Sequence, residues 1–208
     1  VKDLPSPKDV VLMPYPVYRA ILLFGLPGVG KGTQGQRIGR LLHFRHLSTG
    51  ELFRSLDPDS SLGREVSSFS ERGLLVPDEL TIRIFHDAIS RLIAGGEFDP
   101  VQDTLALDGI PRNVNQAKIL DGQLRVIRII YLVSSDEQVM IDRMKRRAEV
   151  EGRKDDADEN VIRRRFDVYR RETKPVLDCY PRDLIVEIDA LGTPDEVTAA
   201  IKRELDAS

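Results

Sequence analysis

The run GLPGVGKGT at residues 25–33 combines four glycines with one lysine, the residue types that bind phosphate. It follows an apolar stretch at residues 20–24 and precedes a segment with Ile38, Leu41 and Leu42 at helical spacing. A loop between strand and helix can turn its backbone N–H groups inward around phosphate oxygens, and the helix N-terminus adds positive potential. Glycine suits such a loop because the backbone bends sharply and comes close to the anion. Lys31 can place a point charge on the β- and γ-phosphates of a nucleotide. In the strict form of this motif a Ser or Thr follows the lysine; here Gly32 does, with Thr33 one residue later. A hydroxyl ligand for magnesium directly beside the lysine is therefore missing. An ordinary glycine-rich turn is the plainer alternative, but strand, glycines, lysine and helix fall in the order that phosphate binding requires.

Asp108 closes a second apolar run at residues 105–107. Ligands of open α/β sheets sit at the carboxyl ends of strands. A carboxylate there can hold magnesium through its water shell. Arg112 adds a planar fork suited to phosphate, and Gln116 carries the paired donor and acceptor that can read a base edge. Taken alone, Asp108 in its Asp-Gly context also reads as a turn initiator. Residues 142–171 are dense in arginine, with Asp142, Glu149, Glu151, Asp155, Asp156 and Asp158 interspersed. Without further information these charges read as a solvated, ion-paired face.

These groups need a scaffold, and the apolar pattern supplies one. Strands are expected at 20–24, 44–47, 105–107, 126–133 and 184–188. Helices are expected at 79–93, 136–148 and 159–171, with a last one starting near Pro194 and capped by Thr193. Alternating strands and helices imply a parallel, doubly wound α/β sheet. The chain has 208 residues, 41% apolar and 31% charged, which suits one globular domain. Its formal net charge of −3 argues against nucleic acid or an anionic membrane as partner. Cys179 is the only cysteine, which excludes an internal disulfide and a cysteine-cluster zinc site and points to a reducing, cytoplasmic setting. No apolar run is long enough to span a bilayer. Residues 1–19, with four prolines, are expected to form an extended arm before a single domain at 20–208. His43 and His46 are expected to be structural.

Four ordered blocks make a more specific pattern: GLPGVGKGT at 25–33, HLSTGELFR at 46–54, LDGIPR at 107–112 with Gln116, and GRKDD at 152–156. With them the chain resembles the adenylate kinases, nucleoside monophosphate kinases of the P-loop NTPase fold, over nearly everything from Ala20 onward. The resemblance implies a five-stranded parallel sheet flanked by helices, a helical NMP-binding insert at about 48–76 and a short lid at about 148–156. It implies ATP and AMP as substrates, Mg²⁺ carried with ATP, no zinc, and a monomer. Glycine after the P-loop lysine is usual in this family. ATP would be bound by Gly28, Val29, Gly30, Lys31, Gly32, Thr33, Arg143, Arg147 and Gly192. AMP would be bound by Thr49, Arg54, Leu74, Leu75, Val76, Gly109, Ile110, Pro111, Arg112, Gln116, Arg153 and Arg165. Lys31, Arg112, Arg147, Arg153 and Arg165 would be the catalytic set, and Asp108 would hold magnesium through water. Ile110 stands where the family usually has phenylalanine, and a packing change with little effect on chemistry is expected.

Three other functions compete. A UMP/CMP kinase shares the fold, but Thr49 together with Gln116 favours AMP. An inactive nucleotide-binding module would be expected to have lost Lys31, Asp108 or a clamp arginine, and all are present. A GTPase switch is disfavoured because the chain has no Asn-Lys-x-Asp run.

Overall fold

The computed structural model describes residues 16–153 and 156–206. Five parallel strands form one sheet: β1 (Tyr18–Phe24), β2 (Phe44–Ser48), β3 (Thr104–Asp108), β4 (Leu124–Val133) and β5 (Ile185–Asp189), in the order β2-β3-β1-β4-β5. Every residue of β3, and every residue of β1 except Arg19, is buried. That is why both read as unbroken apolar runs: the sheet is covered on both faces. Successive side chains part to opposite sides. Ala20, Leu22, Phe24, Leu105 and Leu107 pack with Phe85 and Ile89 of α4 (Asp78–Ala94). Ile21, Leu23, Ala106 and Ile130 pack with Ile38 of α1 (Lys31–Ile38), Met140 and Met144 of α6 (Glu137–Glu151), Phe166 of α7 (Glu159–Val168) and Ile201 of α8 (Pro194–Asp206). Each fully buried Leu, Ile or Phe contributes about 1.5–3 kcal/mol, so these two layers hold the sheet.

The register sets the site. Asp108 pairs with Leu23 on one side and with Ser48 on the other, so the carboxyl ends of β1, β2 and β3 are level. β1 is central, with β3 on one side and β4 on the other. The crevice at this switch in strand order is where an open α/β sheet binds its ligand.

Connections between the strands are locally encoded. Ser48, Ser60, Asn113, Asp136 and Asp158 each accept a backbone N–H at the start of α2 (Thr49–Arg54), α3 (Ser61–Ser70), α5 (Val114–Leu120), α6 and α7. Thr193 caps α8 as expected and shares a reciprocal capping box with Glu196: Glu196 N donates to Thr193 Oγ1, and Thr193 N donates to Glu196 Oε2. The His46 ring lies over α1, where a side chain at Gly35 would come within 2.3 Å of its Nε2. Burial lowers its pKa, with Asp108 and Glu51 opposing, which suits a packing role. A third, smaller apolar cluster joins α3 to α4 through Val66, Val76, Leu80 and Ile84.

Several boundaries differ from expectation. β1 begins at Tyr18, whose ring packs against Phe98 with centroids 5.8 Å apart, so Tyr18 and Arg19 belong to the sheet. The rest of the expected arm, through residue 15, lies outside the described residues. Helix α1 stops at Ile38 and does not reach Leu41 or Leu42. Gly39 ends it, and Leu42 is 81% exposed. Helix α6 continues to Glu151 and ends at Gly152 in the left-handed region, φ 65°. The first part of the expected 148–156 lid is therefore helix, and Lys154 and Asp155 lie outside the described residues. Helix α7 gives way at Tyr169–Thr173 to a π turn, then to a 3₁₀ turn at Lys174–Cys179.

Candidate functional site

The glycine-rich loop leads from β1 into α1. Gly30 caps α1 in the left-handed region with no side-chain acceptor, which leaves the first N–H groups of the helix open to an anion. Gly28 has φ +83°, and a Cβ there would lie 2.7 Å from the Met140 carbonyl, so only glycine lets the loop close against α6. Lys31 folds back onto the loop, its Nζ donating to the carbonyls of Gly25 (2.7 Å) and Leu26 (3.0 Å). Burial lowers its pKa to about 8; Asp108 opposes this, while Arg112, Arg165 and Arg147 add to it. Part of its surface still opens to the cavity.

That cavity, about 930 Å³, lies at the carboxyl edge of the sheet and is lined by most of the expected residues. Gly28, Val29, Gly30, Lys31, Gly32 and Thr33 form one wall, with the Val29 side chain itself turned into the core. Arg54, Leu74, Leu75 and Val76 form another, with Gly109, Pro111, Arg112 and Gln116 between them. Asp108 is 9% exposed, with Oδ2 3.5 Å from the Ser48 hydroxyl. Among the described residues no group of three or more His, Cys, Asp or Glu could hold a metal. A carboxylate at this edge suits a cation that keeps most of its water.

Two expected residues do not line the cavity. Ile110 is 2% exposed and belongs to the core cluster with Leu107, Ala117 and Leu120, so its side chain packs and cannot touch a ligand. Thr49 is 1% exposed, and its hydroxyl donates to the Gly109 carbonyl at 2.9 Å. Gly109 has φ +84°, and a Cβ there would lie 2.6 Å from Thr49 Oγ1 and 2.9 Å from Arg112 Nη2. Thr49 therefore supports the turn that carries Arg112. Arg112 Nε donates to the same Gly109 carbonyl at 3.0 Å, and the Arg112 carbonyl accepts from Thr173 at 2.7 Å.

The arginines divide clearly. Arg143 donates to the Ala190 carbonyl at 3.1 Å, beside Gly192 on the cavity wall. Gln34 holds this loop by donating to the Pro194 carbonyl (3.0 Å) while accepting from Thr198 (2.7 Å). Of the three consecutive arginines, Arg163 pairs with Glu159 and Arg164 donates to the Arg72 carbonyl, while Arg165 lines the cavity. Arg147, Arg153 and Arg165 all converge on Asp156. Arg147 reaches Asp156 Oδ2 through Nη2 (2.6 Å) and Nε (2.7 Å), Arg153 Nε reaches the same oxygen (3.2 Å), and Arg165 Nη1 reaches Oδ1 (2.5 Å). Asp156 is 0% exposed. In the sequence it is one acid among many in a charged stretch, and it would have passed as solvated. Asp78 is a second residue the sequence does not single out: its carboxylate accepts from Asn113, Asn115 and Gln116.

A family model described as adenylate kinase matches residues 23–184. An adenylate kinase of Thermus thermophilus is 38% identical over 196 residues, covering 91% of this chain and 98% of that protein. One of a Nocardioides species is 38% identical over 192 residues, covering 89% and 96%. One of Mycolicibacterium paratuberculosis is 41% identical over 180 residues, covering 86% and 94%.

Proposed function

Because the chain belongs to the adenylate kinase family, and so transfers the terminal phosphoryl group of ATP reversibly to AMP to give two ADP, we propose that the cavity at the carboxyl edge of the sheet is where this happens, with the sequence-assigned residues that line it in their roles. The observation that carries this assignment is the convergence of the glycine-rich loop, Asp108 and five arginines (Arg54, Arg112, Arg147, Arg153 and Arg165) on one cavity. The alternatives of a pyrimidine acceptor or an inactive module are not favoured.

In this scheme the β- and γ-phosphates of ATP lie on the N–H groups at the start of α1, and Lys31 leaves the Gly25 and Leu26 carbonyls to meet them. Arg143 and the loop at Gly192 take the donor base. Magnesium, held through water by Asp108, supplies charge neutralisation on the phosphates when bound. Arg54 and Arg112 take the AMP phosphate, with Leu74, Leu75, Val76, Gly109, Pro111 and Gln116 around its base, and Thr49 behind them holding the Gly109 turn. An AMP phosphate oxygen attacks the γ-phosphorus, the bond to the β,γ-bridging oxygen breaks, and ADP departs. The acceptor is already ionised, so no strong base is needed; positioning and charge stabilisation by Arg112, Arg147, Arg153 and Arg165 do the work. Closure of the helical segment at 48–76 and of the lid would exclude water, the competing acceptor. A monomeric, cytoplasmic enzyme completes the proposal, supported by the short lid and the single cysteine. Among the described residues no helix is long and apolar enough to cross a membrane.

A coupled assay of ADP production with Mg-ATP against AMP, CMP, UMP, GMP and no acceptor tests the acceptor assignment. AMP should be strongly preferred; a preference for CMP or UMP would overturn it.

Two further outcomes are expected. Thr49→Ala should lower the preference for AMP over CMP and UMP by roughly tenfold, because the Gly109 turn loses a buried hydrogen bond, while KM for ATP stays the same. An unchanged preference would free Thr49 of any part in acceptor choice. The lowered pKa of Lys31 predicts an alkaline limb. The ammonium form binds phosphate, so kcat/KM for Mg-ATP should fall as pH rises through about 8. In the ATP complex the phosphate charge restores the higher pKa, so kcat should stay flat to more alkaline pH. Lys31→Arg should remove the limb. A wild-type kcat/KM that stays level to about pH 9.5 would contradict it.

A further inference from the structure

Asp78 stands at the first position of α4, and Gln116 lies in α5. The Gln116 amide is 1% exposed at the cavity wall, and its two ends are held by different partners. Nε2 donates to Asp78 Oδ1 at 2.8 Å, and Oε1 accepts from the backbone N–H of Arg112 at 2.8 Å. Asn113 Nδ2 also donates to Asp78 Oδ1 (2.8 Å), and Asn115 Nδ2 donates to Oδ2 (2.7 Å). Burial pushes the pKa of Asp78 up, but the hydrogen bonds from Asn115, Asn113 and Gln116 outweigh it and hold the carboxyl below its ordinary value. An ionised carboxylate only accepts, and a backbone N–H only donates. Between these two partners the Gln116 amide has one orientation.

We propose that Asp78 is a specificity-determining positioning residue, which locks the direction of the Gln116 amide and so decides which base edge the acceptor site can read. An amide nitrogen has two hydrogens and its oxygen two lone pairs. One of each is spent on Asp78 and Arg112, leaving one donor and one acceptor in a fixed order. The Watson–Crick edge of adenine offers an amino donor at position 6 and an acceptor at N1. Guanine offers the reverse, a carbonyl acceptor at position 6 and a donor at N1. The locked amide suits one and leaves the other with two facing mismatches, whereas an amide held by the Arg112 N–H alone can turn at the cost of that one bond and so serve both. Asp78 touches no substrate in this scheme; it acts through Gln116, and the inference rests on Gln116 lying against the acceptor base.

The test is the ratio of kcat/KM for AMP to that for GMP in three variants, with KM for Mg-ATP and Tm recorded alongside. Asp78→Ala removes the acceptor that holds Nε2 and should lower the ratio about tenfold or more, with KM for Mg-ATP unchanged. Asp78→Asn restores one acceptor oxygen, and the exposed Asn115 can turn its own amide to match, so this variant should keep most of the preference. Gln116→Ala should lower the ratio at least as far as Asp78→Ala. If Gln116→Ala shifts the ratio and Asp78→Ala does not, the positioning role of Asp78 is overturned while the role of Gln116 stands. If Gln116→Ala leaves the ratio unchanged, the base is read elsewhere and both assignments fall. A loss of Tm and of turnover with every acceptor alike, at constant ratio, would mark Asp78 as merely structural and overturn the proposal. Should the alanine variant fail to fold, Asp78→Ser tests the same point, since it keeps a polar group at the helix start but is too short to reach Gln116.

Discussion

Arg112→Ala should lower turnover by roughly 10³-fold or more while leaving the fold intact, because an arginine that stabilises a transferring phosphoryl group is worth about that much. The structural reasons for an intact fold are specific. Both backbone anchors at this position, the N–H donated to Gln116 Oε1 and the carbonyl that accepts from Thr173, survive the substitution. The side chain is only partly buried, so its loss leaves no sealed cavity, and the Gly109 carbonyl to which it donates keeps its bond from Thr49. What disappears is a cation on the wall between the glycine-rich loop and the acceptor side, close enough to Lys31 to lower that lysine's pKa. The same substitution should raise KM for AMP and let the Lys31 pKa rise. Arg112→Lys keeps the charge but loses the planar fork, so it should recover only part of the rate. Steady-state kinetics with both substrates, and Tm as a check of folding, measure this; turnover near the wild-type value would remove Arg112 from the site.

The parts of this site that could be read from sequence are those whose geometry is local. The glycine-rich loop and Asp108 each follow an apolar strand within a few residues, and parallel register alone brings the strand ends level. The arginines are different. Spacing does not distinguish Arg147, Arg153 and Arg165 from a solvated face, and only the resemblance singled them out. Asp156 escaped because nothing in its charged stretch marks which acid is buried, and Asp78 because its partners are remote in sequence. Asp156 looks like surface until α6 and α7 enclose it, and Asp78 meets Gln116 from 38 residues away. The helical spacing of Leu41 and Leu42 misled because Gly39 ends α1 before they are reached. Ile110 sits inside a motif that contacts ligand by resemblance, yet its own side chain faces the core.

Asp156→Asn should lower kcat by roughly 10²-fold, with changes in KM for ATP and AMP smaller than that. Two opposing effects meet here. Removing a negative charge from among Arg147, Arg153 and Arg165 would favour an incoming phosphate, because one competitor for the guanidinium groups is gone. It also loosens three side chains that meet on this carboxylate, two of them little exposed, at 9% for Arg153 and 16% for Arg165. Catalysis by positioning is sensitive to misplacement of about 1 Å, which alone costs about 10²-fold, so the second effect should win in kcat. Stability points the same way. A carboxylate at 0% exposure is tolerable only when paired, and breaking a buried ion pair costs about 3–5 kcal/mol. The lower end applies because Arg147 is 30% exposed and can turn its charge to water. For a chain of this length such a loss lowers Tm by roughly 6–12 °C. Kinetics measured well below that shifted Tm separate the two effects: if the carboxylate positions the arginines, kcat falls in fully folded protein. If it merely competes with the nucleotide, kcat is kept and KM for ATP drops, and that outcome would reverse the assignment of Asp156 from organiser to competitor.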